Sequence, residues 1–342
     1  MISIKRNWFF IFLIFLLFSC ETKEVQLQRF LLQGNGALSE QNYQGAEHYF
    51  QEALKMEPCF KDALNNLGVL YSNQERFDVA IGYFTKAIEC DGNFLPAYFN
   101  RANSYYESEE YYSLLKDAQY ILKQKPDTAS AFVLIGLANT KLRQYDIADS
   151  VFGKAIEQEP TNAEHYVNRG NVKYYQKKRT EAIVDFRKAL KLQPSQANAL
   201  NALGLIALDR NQMDSAKYYF EQALKRMPDQ PYFLNNLGYV YLMQNELGQA
   251  LALINKSITL DPDNAWAYRN KGIYYLAISE YPSAERLLKQ SLSMDEGVEK
   301  IHYYFGVALM RNGKKLEACE QFKRSEEADD VLVKNEIQDV CL

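Results

Sequence analysis

Apolar residues recur along the chain with two periods. Over short stretches they stand three and four residues apart, as Leu234, Leu237 and Tyr241 do, which places them on one face of an α-helix. Over longer distances the pattern repeats every 34 residues. The stretch NNLGVLY from Asn65 thus returns as NNLGYVY from Asn235, five repeats later. The sequence predicts helices of one recurring kind.

Three columns of residues mark the repeat: a glycine in the first predicted helix, an alanine in the second, and a proline after it. The proline ring cannot continue a helix, so it is expected to end the second one. A glycine inside a helix costs about 1 kcal/mol relative to alanine, so its recurrence predicts that two helices touch there. The glycine column contains Gly34, Gly68, Gly136, Gly170, Gly204, Gly238, Gly272 and Gly306, with Ala102 in the third unit.

The spacing continues without insertion over residues 27–332, which predicts nine helix–turn–helix units. One hairpin cannot bury its apolar face alone, so neighbouring hairpins are expected to stack. The third unit departs from the pattern, because Leu114, Ala118 and Ile121 stand where small, large and small residues are usual. We expect altered helix packing in that unit.

Residues 163–196, AEHYVNRGNVKYYQKKRTEAIVDFRKALKLQPSQ, show the pattern in full. This pattern resembles the tetratricopeptide repeat (TPR), over almost all of the chain. The resemblance implies an all-α fold, a right-handed α-solenoid superhelix of nine hairpins, whose first helices line a concave groove for peptides or helices of other proteins. Residues 333–342 are interpreted as a C-terminal capping segment.

The N-terminus has a different composition. Lys5 and Arg6 precede an apolar run from Trp8 to Phe18, which is too short to span a bilayer and fits a signal peptide. The stretch LFSC resembles a bacterial lipobox, which implies cleavage after residue 19, a lipid on Cys20 and a tether of residues 20–26. The alternative is an ordinary secreted protein. We expect an exported, membrane-anchored lipoprotein of the outer membrane that faces the periplasm or the cell surface.

Four further cysteines are present, and export would permit disulfides among them. Cys319 lies in the last predicted helix and Cys341 in the capping segment, so a bridge between them would fasten the C-terminal end. Idle thiols are the alternative. The distance between Cys59 and Cys90 cannot be read from the sequence.

Catalytic and metal-binding patterns are absent from the sequence: it has no HExxH, nucleophile elbow, phosphate-binding glycine loop or CxxC. We therefore expect neither an enzyme nor a cofactor. The net charge of −4 and the lack of a basic stripe argue against nucleic acid as a partner.

Residues at the groove positions that the resemblance implies change character along the chain. Asparagines prevail in the early units, where they would pair with a partner's backbone or, alternatively, with neighbouring repeats. Aromatic residues and methionine prevail in the late units, where they would anchor a partner or, alternatively, pack as core. The candidate groove residues are Asn65, Asn103, Asn171, Tyr232, Tyr239, Leu242, Met243, Trp266, Ile273, Tyr303 and Met310.

The predicted function is a protein–protein interaction scaffold or adaptor of the bacterial cell envelope. A glycan- or nutrient-capturing surface lipoprotein is the alternative. Lipoproteins of that kind carry long insertions between helices, which this chain lacks.

Overall fold

Eighteen α-helices follow one another in residues 22–327, which together with Cys341 are the residues that this computed structural model describes. Odd-numbered helices are the first helices of hairpins, and even-numbered helices are the second. The all-helical hairpin architecture is therefore confirmed. The helices are α1 (Lys23–Ser39), α2 (Tyr43–Met56), α3 (Lys61–Asn73), α4 (Phe77–Cys90), α5 (Leu95–Glu107), α6 (Tyr111–Gln124), α7 (Ala129–Lys141), α8 (Tyr145–Gln158), α9 (Ala163–Tyr175), α10 (Arg179–Leu192), α11 (Ala197–Asp209), α12 (Met213–Leu224), α13 (Pro231–Met243), α14 (Leu247–Leu260), α15 (Ala265–Ala277), α16 (Tyr281–Met294), α17 (Ile301–Arg311) and α18 (Lys315–Glu327).

The hairpins belong to two compact units. The N-terminal unit ends at Thr161 and contains α1–α8, and the C-terminal unit begins at Asn162 and contains α9–α18. Within each unit, every helix packs against the next one along the chain. Each hairpin thus buries its apolar faces between its own two helices and against its neighbour in the same unit.

A side chain of the second helix fills the space beside each glycine of the repeat. A Cβ atom added at Gly34 would lie 2.3 Å from Phe50 Cε1, and one added at Gly170 would lie 2.6 Å from Phe186 Cε1. Both rings are fully buried. The predicted close approach of the helices at the glycine is confirmed. The same contact joins Gly68 to Phe84, Gly136 to Phe152, Gly204 to Phe220 and Gly306 to Phe322, whereas Ile254 and Leu288 lie beside Gly238 and Gly272.

Hairpin 3, the third along the chain, is formed by α5 and α6 and fills its interior in a different way. Ala118 stands where six hairpins have the buried ring, and Ala102 replaces the glycine. Leu114 and Ile121, one helical turn before and after Ala118, replace two alanines. All four side chains are completely buried. The volume of the missing ring is therefore supplied by the flanking turns of α6, which is the altered packing expected in this unit.

The turn between the two helices of each hairpin contains one residue with left-handed backbone. Its backbone ends the first helix, as when the Arg76 amide donates to the Tyr71 carbonyl at 2.9 Å. Residues other than glycine are disfavoured in this conformation by about 1 kcal/mol. Gly313 has a φ of 80°, whereas eight hairpins carry another residue there with φ between 55° and 62°: Gln41, Glu75, Glu109, Arg143, Lys177, Asn211, Asn245 and Ser279.

The first helix begins earlier than the sequence pattern indicated. Thr22 precedes α1, and its hydroxyl oxygen accepts a hydrogen bond from the Val25 amide at 3.3 Å, so that it caps the helix. Residues 23–26 are therefore helical, and the interpretation of residues 20–26 as a tether was wrong for this part. The predicted signal peptide, Cys20, and the capping segment other than Cys341 lie outside the described residues.

Two disulfides join the four cysteines. The Cys59–Cys90 bond connects the segment after α2 to the last residue of α4, with the two Cα atoms 5.4 Å apart. The Cys319–Cys341 bond, which also has a Cα–Cα distance of 5.4 Å, connects α18 to the C-terminal segment. The first bond thus closes a loop that contains hairpin 2, and the second links the last hairpin to the residues that follow it.

Candidate functional site

The first helices of neighbouring hairpins contact one another, and this contact brings their inward sides together. In the N-terminal unit α1 contacts α3, α3 contacts α5, and α5 contacts α7. In the C-terminal unit α13 contacts α15, and α15 contacts α17. We call the side of α1, α3, α5 and α7 that carries the candidate residues Asn65 and Asn103 the N-terminal face. We call the side of α13, α15 and α17 that carries the candidate residues Tyr232 and Trp266 the C-terminal face.

Asparagine side chains form hydrogen bonds between successive first helices. Three of these bonds each join two side chains that are 35 residues apart, and in each of the three the amide nitrogen of the later residue donates. This arrangement supports the alternative in which the asparagines serve the contacts between repeats. The bonds run from Asn100 to Asn65, from Asn236 to Asn201 and from Asn270 to Asn235, each at 2.9 Å.

The three candidate asparagines therefore differ in accessibility. Asn65 is buried, and its side-chain oxygen accepts the bond from Asn100. Asn103 is exposed and donates to the carbonyl of Phe99 in its own helix at 2.9 Å. Asn171, on α9, is half-buried. Asn103 is thus the member of this group that is most available to a ligand.

The C-terminal face presents aromatic and sulfur-containing side chains that are partly open to solvent. Tyr232 and Met243 on α13 are exposed by 50% and 39%. Trp266, Tyr303 and Met310 are half-buried, and all three pack against one core cluster at the C-terminal end. Aromatic and methionine side chains that pack against a core cluster and are partly open to solvent are typical of the centres of protein interfaces.

Two candidate residues on the same helices do not reach this surface. Leu242 and Ile273 are each only 6% exposed, and they pack together with Ala250, Ile254 and Ala267. Both positions face the space between successive hairpins, where larger neighbouring side chains cover them. The interpretation of Leu242 and Ile273 as accessible groove residues is therefore wrong.

Arg269 supports the C-terminal face from within, a role that the sequence analysis missed. Its guanidinium carbon lies 4.8 Å from the ring centroid of Trp266 and 5.2 Å from that of Tyr239. Its Nε and Nη2 donate to the side-chain oxygen of Asn270, and its Nη1 donates to the Glu299 carbonyl at 2.7 Å. The sequence signal that could have indicated this role is an arginine directly before the asparagine that recurs in the repeat.

Burial of this cluster has electrostatic consequences. Removal from water lowers the pKa of the Arg269 guanidinium. The same cause raises the pKa of the Tyr304 phenol, which also faces Tyr239. Tyr239 therefore lies between the buried guanidinium of Arg269 and the half-buried phenol of Tyr304.

The described residues show neither a metal site nor a membrane span. In residues 22–327 and Cys341, no three histidine, cysteine or acidic side chains are placed to hold a metal ion. Within the same residues, no helix has the length and apolar character needed to cross a bilayer.

Family comparisons match the repeat in most parts of the chain. Models described as "Tetratricopeptide repeat" match residues 31–93, 129–162, 197–230 and 233–297. A model described as "TPR repeat" matches residues 170–209. The chain is therefore built of tetratricopeptide repeats.

The curated relatives share only part of this chain. Serine/threonine-protein phosphatase 5 of Rattus norvegicus is 25% identical over 133 residues, which are 39% of this chain and 25% of that protein. The mitochondrial import receptor subunit TOM70 of Mus musculus is 25% identical over 38% of this chain and 22% of its own length. The heat shock protein sti1 homolog of Schizosaccharomyces pombe is 32% identical over 27% of this chain and 16% of its own. The chain thus spans a quarter or less of these relatives.

Solved structures show the same fold at low sequence identity. The crystal structure of the APC/C hetero-tetramer Cut9-Hcn1 contains a chain with a TM-score of 0.66 and 18% identity, covering 86% of this chain and 58% of that one. Pseudomonas aeruginosa pilF gives a TM-score of 0.53 and 17% identity, covering 62% of this chain and 97% of that one. At such identities the likeness is evidence for the fold alone.

Proposed function

We propose that this protein is a non-catalytic scaffold of a bacterial cell envelope, which binds a peptide or helix of another envelope protein on its C-terminal face. Tetratricopeptide repeats generally mediate protein–protein interactions. The observation that carries the proposal is the set of partly exposed aromatic and methionine side chains on the C-terminal face. A bound apolar segment would cover Tyr232 and Met243, which are open to water in the isolated chain.

The two disulfides support export. Disulfides persist in oxidising compartments and are rare in the cytosol, where thiols are kept reduced. All four cysteines of the described residues are paired. We further propose that the mature chain begins at Cys20 and carries a lipid there. Mass spectrometry of the mature protein tests this: a diacylglycerol-modified Cys20 is expected, and Cys20→Ala should release the protein from membranes. A mature chain that begins elsewhere would contradict the anchor but not the scaffold.

Photo-crosslinking tests the binding face directly. A photoreactive phenylalanine derivative replaces Tyr232 on the C-terminal face, and in a matched control it replaces Tyr218, a comparably exposed tyrosine on the second helix α12. The proposal predicts a discrete protein adduct from position 232 in living cells and its absence from position 218. Identical adducts at both positions, or none at position 232, would overturn it.

A further inference from the structure

A cavity of about 200 Å³ opens on the N-terminal face between α3 and α5. Val69 and Phe84 contribute apolar surface to its lining. Ser72 and Ser104 contribute hydroxyl groups, and Glu107 contributes a carboxylate. The cavity thus combines an apolar wall with a polar rim, as ligand pockets commonly do.

Two serines create this space. The Oγ atoms of Ser72 and Ser104 lie 2.9 Å apart, and Ser104 is only 2% exposed. Both positions belong to repeating columns of the sequence, so the residues of other hairpins show what normally fills them. Two neighbouring hairpins generally place at least one large side chain there. The corresponding pairs are Leu38 with Leu70 in hairpins 1 and 2, and Leu208 with Val240 in hairpins 6 and 7.

Three side chains at the cavity carry oxygen atoms that can accept hydrogen bonds from a ligand: Asn100, Asn103 and Glu107. The Asn100 amide nitrogen donates to Asn65, and the Asn103 amide nitrogen donates to the Phe99 carbonyl. Both side chains therefore have their oxygen atoms left to accept from a ligand. The carboxylate of Glu107 adds a negative charge and also only accepts. A ligand group rich in donors and positively charged complements this lining.

We propose that the cavity is a subsite for a long cationic side chain, that of a lysine or arginine in a segment bound on the N-terminal face. The inference goes beyond the proposed function, because it gives the N-terminal face a binding subsite of its own. The methylene groups of the side chain pack on Phe84 and Val69, and its charged end reaches Glu107 and the amide oxygens of Asn100 and Asn103.

Short blocked peptides provide the probes. Acetyl-Ala-Lys-Ala-amide is added to the isotope-labelled complete chain, and amide resonances are followed by NMR. Norleucine replaces lysine in a second peptide, which keeps the methylene stem and removes the charge; glutamate replaces it in a third. We expect a Kd on the order of 1 mM for the lysine peptide. The resonances that shift should belong to α3 and α5, and the other two peptides should bind at least about 5-fold more weakly.

Variants of the protein locate the binding. Ser104→Val restores the apolar residue of other hairpins and should abolish binding of the lysine peptide by filling the cavity. Ser72→Leu should do the same from the opposite wall. Glu107→Gln should weaken the lysine peptide about 3-fold, because an exposed ion pair contributes less than about 1 kcal/mol. Glu89→Gln, an equally exposed carboxylate on α4, is the matched control and should change nothing.

The outcomes separate this inference from the proposed function. Equal binding of the lysine and norleucine peptides, binding that survives Ser104→Val, or no binding of the lysine peptide would overturn the cationic subsite. None of these results would affect an adduct formed from position 232 in the C-terminal unit. Conversely, a missing adduct together with a lysine-selective cavity would leave the subsite in place and overturn the C-terminal face as the binding surface.

Discussion

The N-terminal and C-terminal faces use equivalent positions of the same repeat for different chemistry. The N-terminal face has small polar side chains and a cavity where Ser72 meets Ser104. The C-terminal face has aromatic rings stacked on the buried Arg269. The packing inside the hairpins is similar in both units, and three hairpins of each unit have a phenylalanine ring pressed against a glycine. The comparison teaches that the residues packed inside the hairpins determine the fold. The residues on the two faces are free to vary and so to determine which ligand is bound.

Removing one buried ring in each unit tests whether the hairpins of both units are stabilised in the same way. Equal losses in the free energy of unfolding would strengthen the comparison. Phe84→Ala in the N-terminal unit and Phe186→Ala in the C-terminal unit should each lower the free energy of unfolding by about 3–5 kcal/mol, because each leaves a cavity beside a glycine. Urea titration followed by circular dichroism measures the loss. Tyr112→Ala, at a largely exposed site, is the control and should have little effect. A loss confined to one unit would break the comparison.

Each unit also contains a disulfide, and removing it should cost somewhat less. Replacing Cys59 and Cys90 by alanine should lower the free energy of unfolding by about 2–4 kcal/mol, because the bond closes a chain segment of 31 residues. Replacing Cys319 and Cys341 should give a loss of similar size. Urea midpoints before and after reduction provide the measurement. If the oxidised and reduced proteins had the same midpoints, the bonds would contribute no stability.

A buried tyrosine in each unit should make stability depend on pH in the alkaline range. Burial and a hydrogen bond to Glu47 raise the pKa of Tyr71 to about 12, whereas it is about 10 in an unfolded chain. The contribution of Tyr71 is thus fully present below pH 10 and is lost as the pH rises towards 12. Burial raises the pKa of Tyr174 in the C-terminal unit as well. Urea titrations across this range should show a shallower fall for Tyr71→Phe and Tyr174→Phe than for the unmodified protein; identical slopes would refute the assignment.

The smallest expected effects are at the left-handed turns. Glu75→Gly and Lys177→Gly, one in each unit, should raise the free energy of unfolding by up to about 1 kcal/mol, since glycine adopts this conformation without strain. Gly313→Ala should lower it by a similar amount. Thermal melting gives the sign of each change. A lower melting temperature for Glu75→Gly would show that its side chain contributes more than the backbone strain costs.

Most of the fold could be predicted from the sequence, because the residues that hold a hairpin together recur at fixed spacing. The glycine of Gly34 occurs in eight of the nine units and the proline of Pro58 in six, so the same helix positions are indicated many times. The start of α1 was missed because Thr22 has no counterpart in the repeat. The Cys59–Cys90 bond was missed for a related reason. It depends on the distance in space between the segment before α3 and the end of α4, which the residues that recur every 34 positions do not show.

The candidate site could be predicted only in part. The sequence located the aromatic character of the C-terminal face, including Tyr232 and Met243. It did not distinguish these from Leu242 and Ile273, because coverage of an inward side chain depends on the size of its neighbour in the next hairpin. The sequence also did not reveal the role of Arg269, since this role follows from contacts with residues of α13, of α15 and of the segment before α17.

The Cys59–Cys90 bond has a mechanical consequence. Stacked hairpins are expected to peel from their ends when pulled, because each contacts only its neighbours. If the chain is pulled from its N-terminus, hairpin 1 can unravel as far as Cys59, an extension of roughly 130 Å at about 3.5 Å per residue. Beyond that point the force passes through the disulfide to Cys90 and bypasses the segment between. Hairpin 2, and with it the α3 side of the cavity, is thereby shielded from tension applied at the N-terminal end.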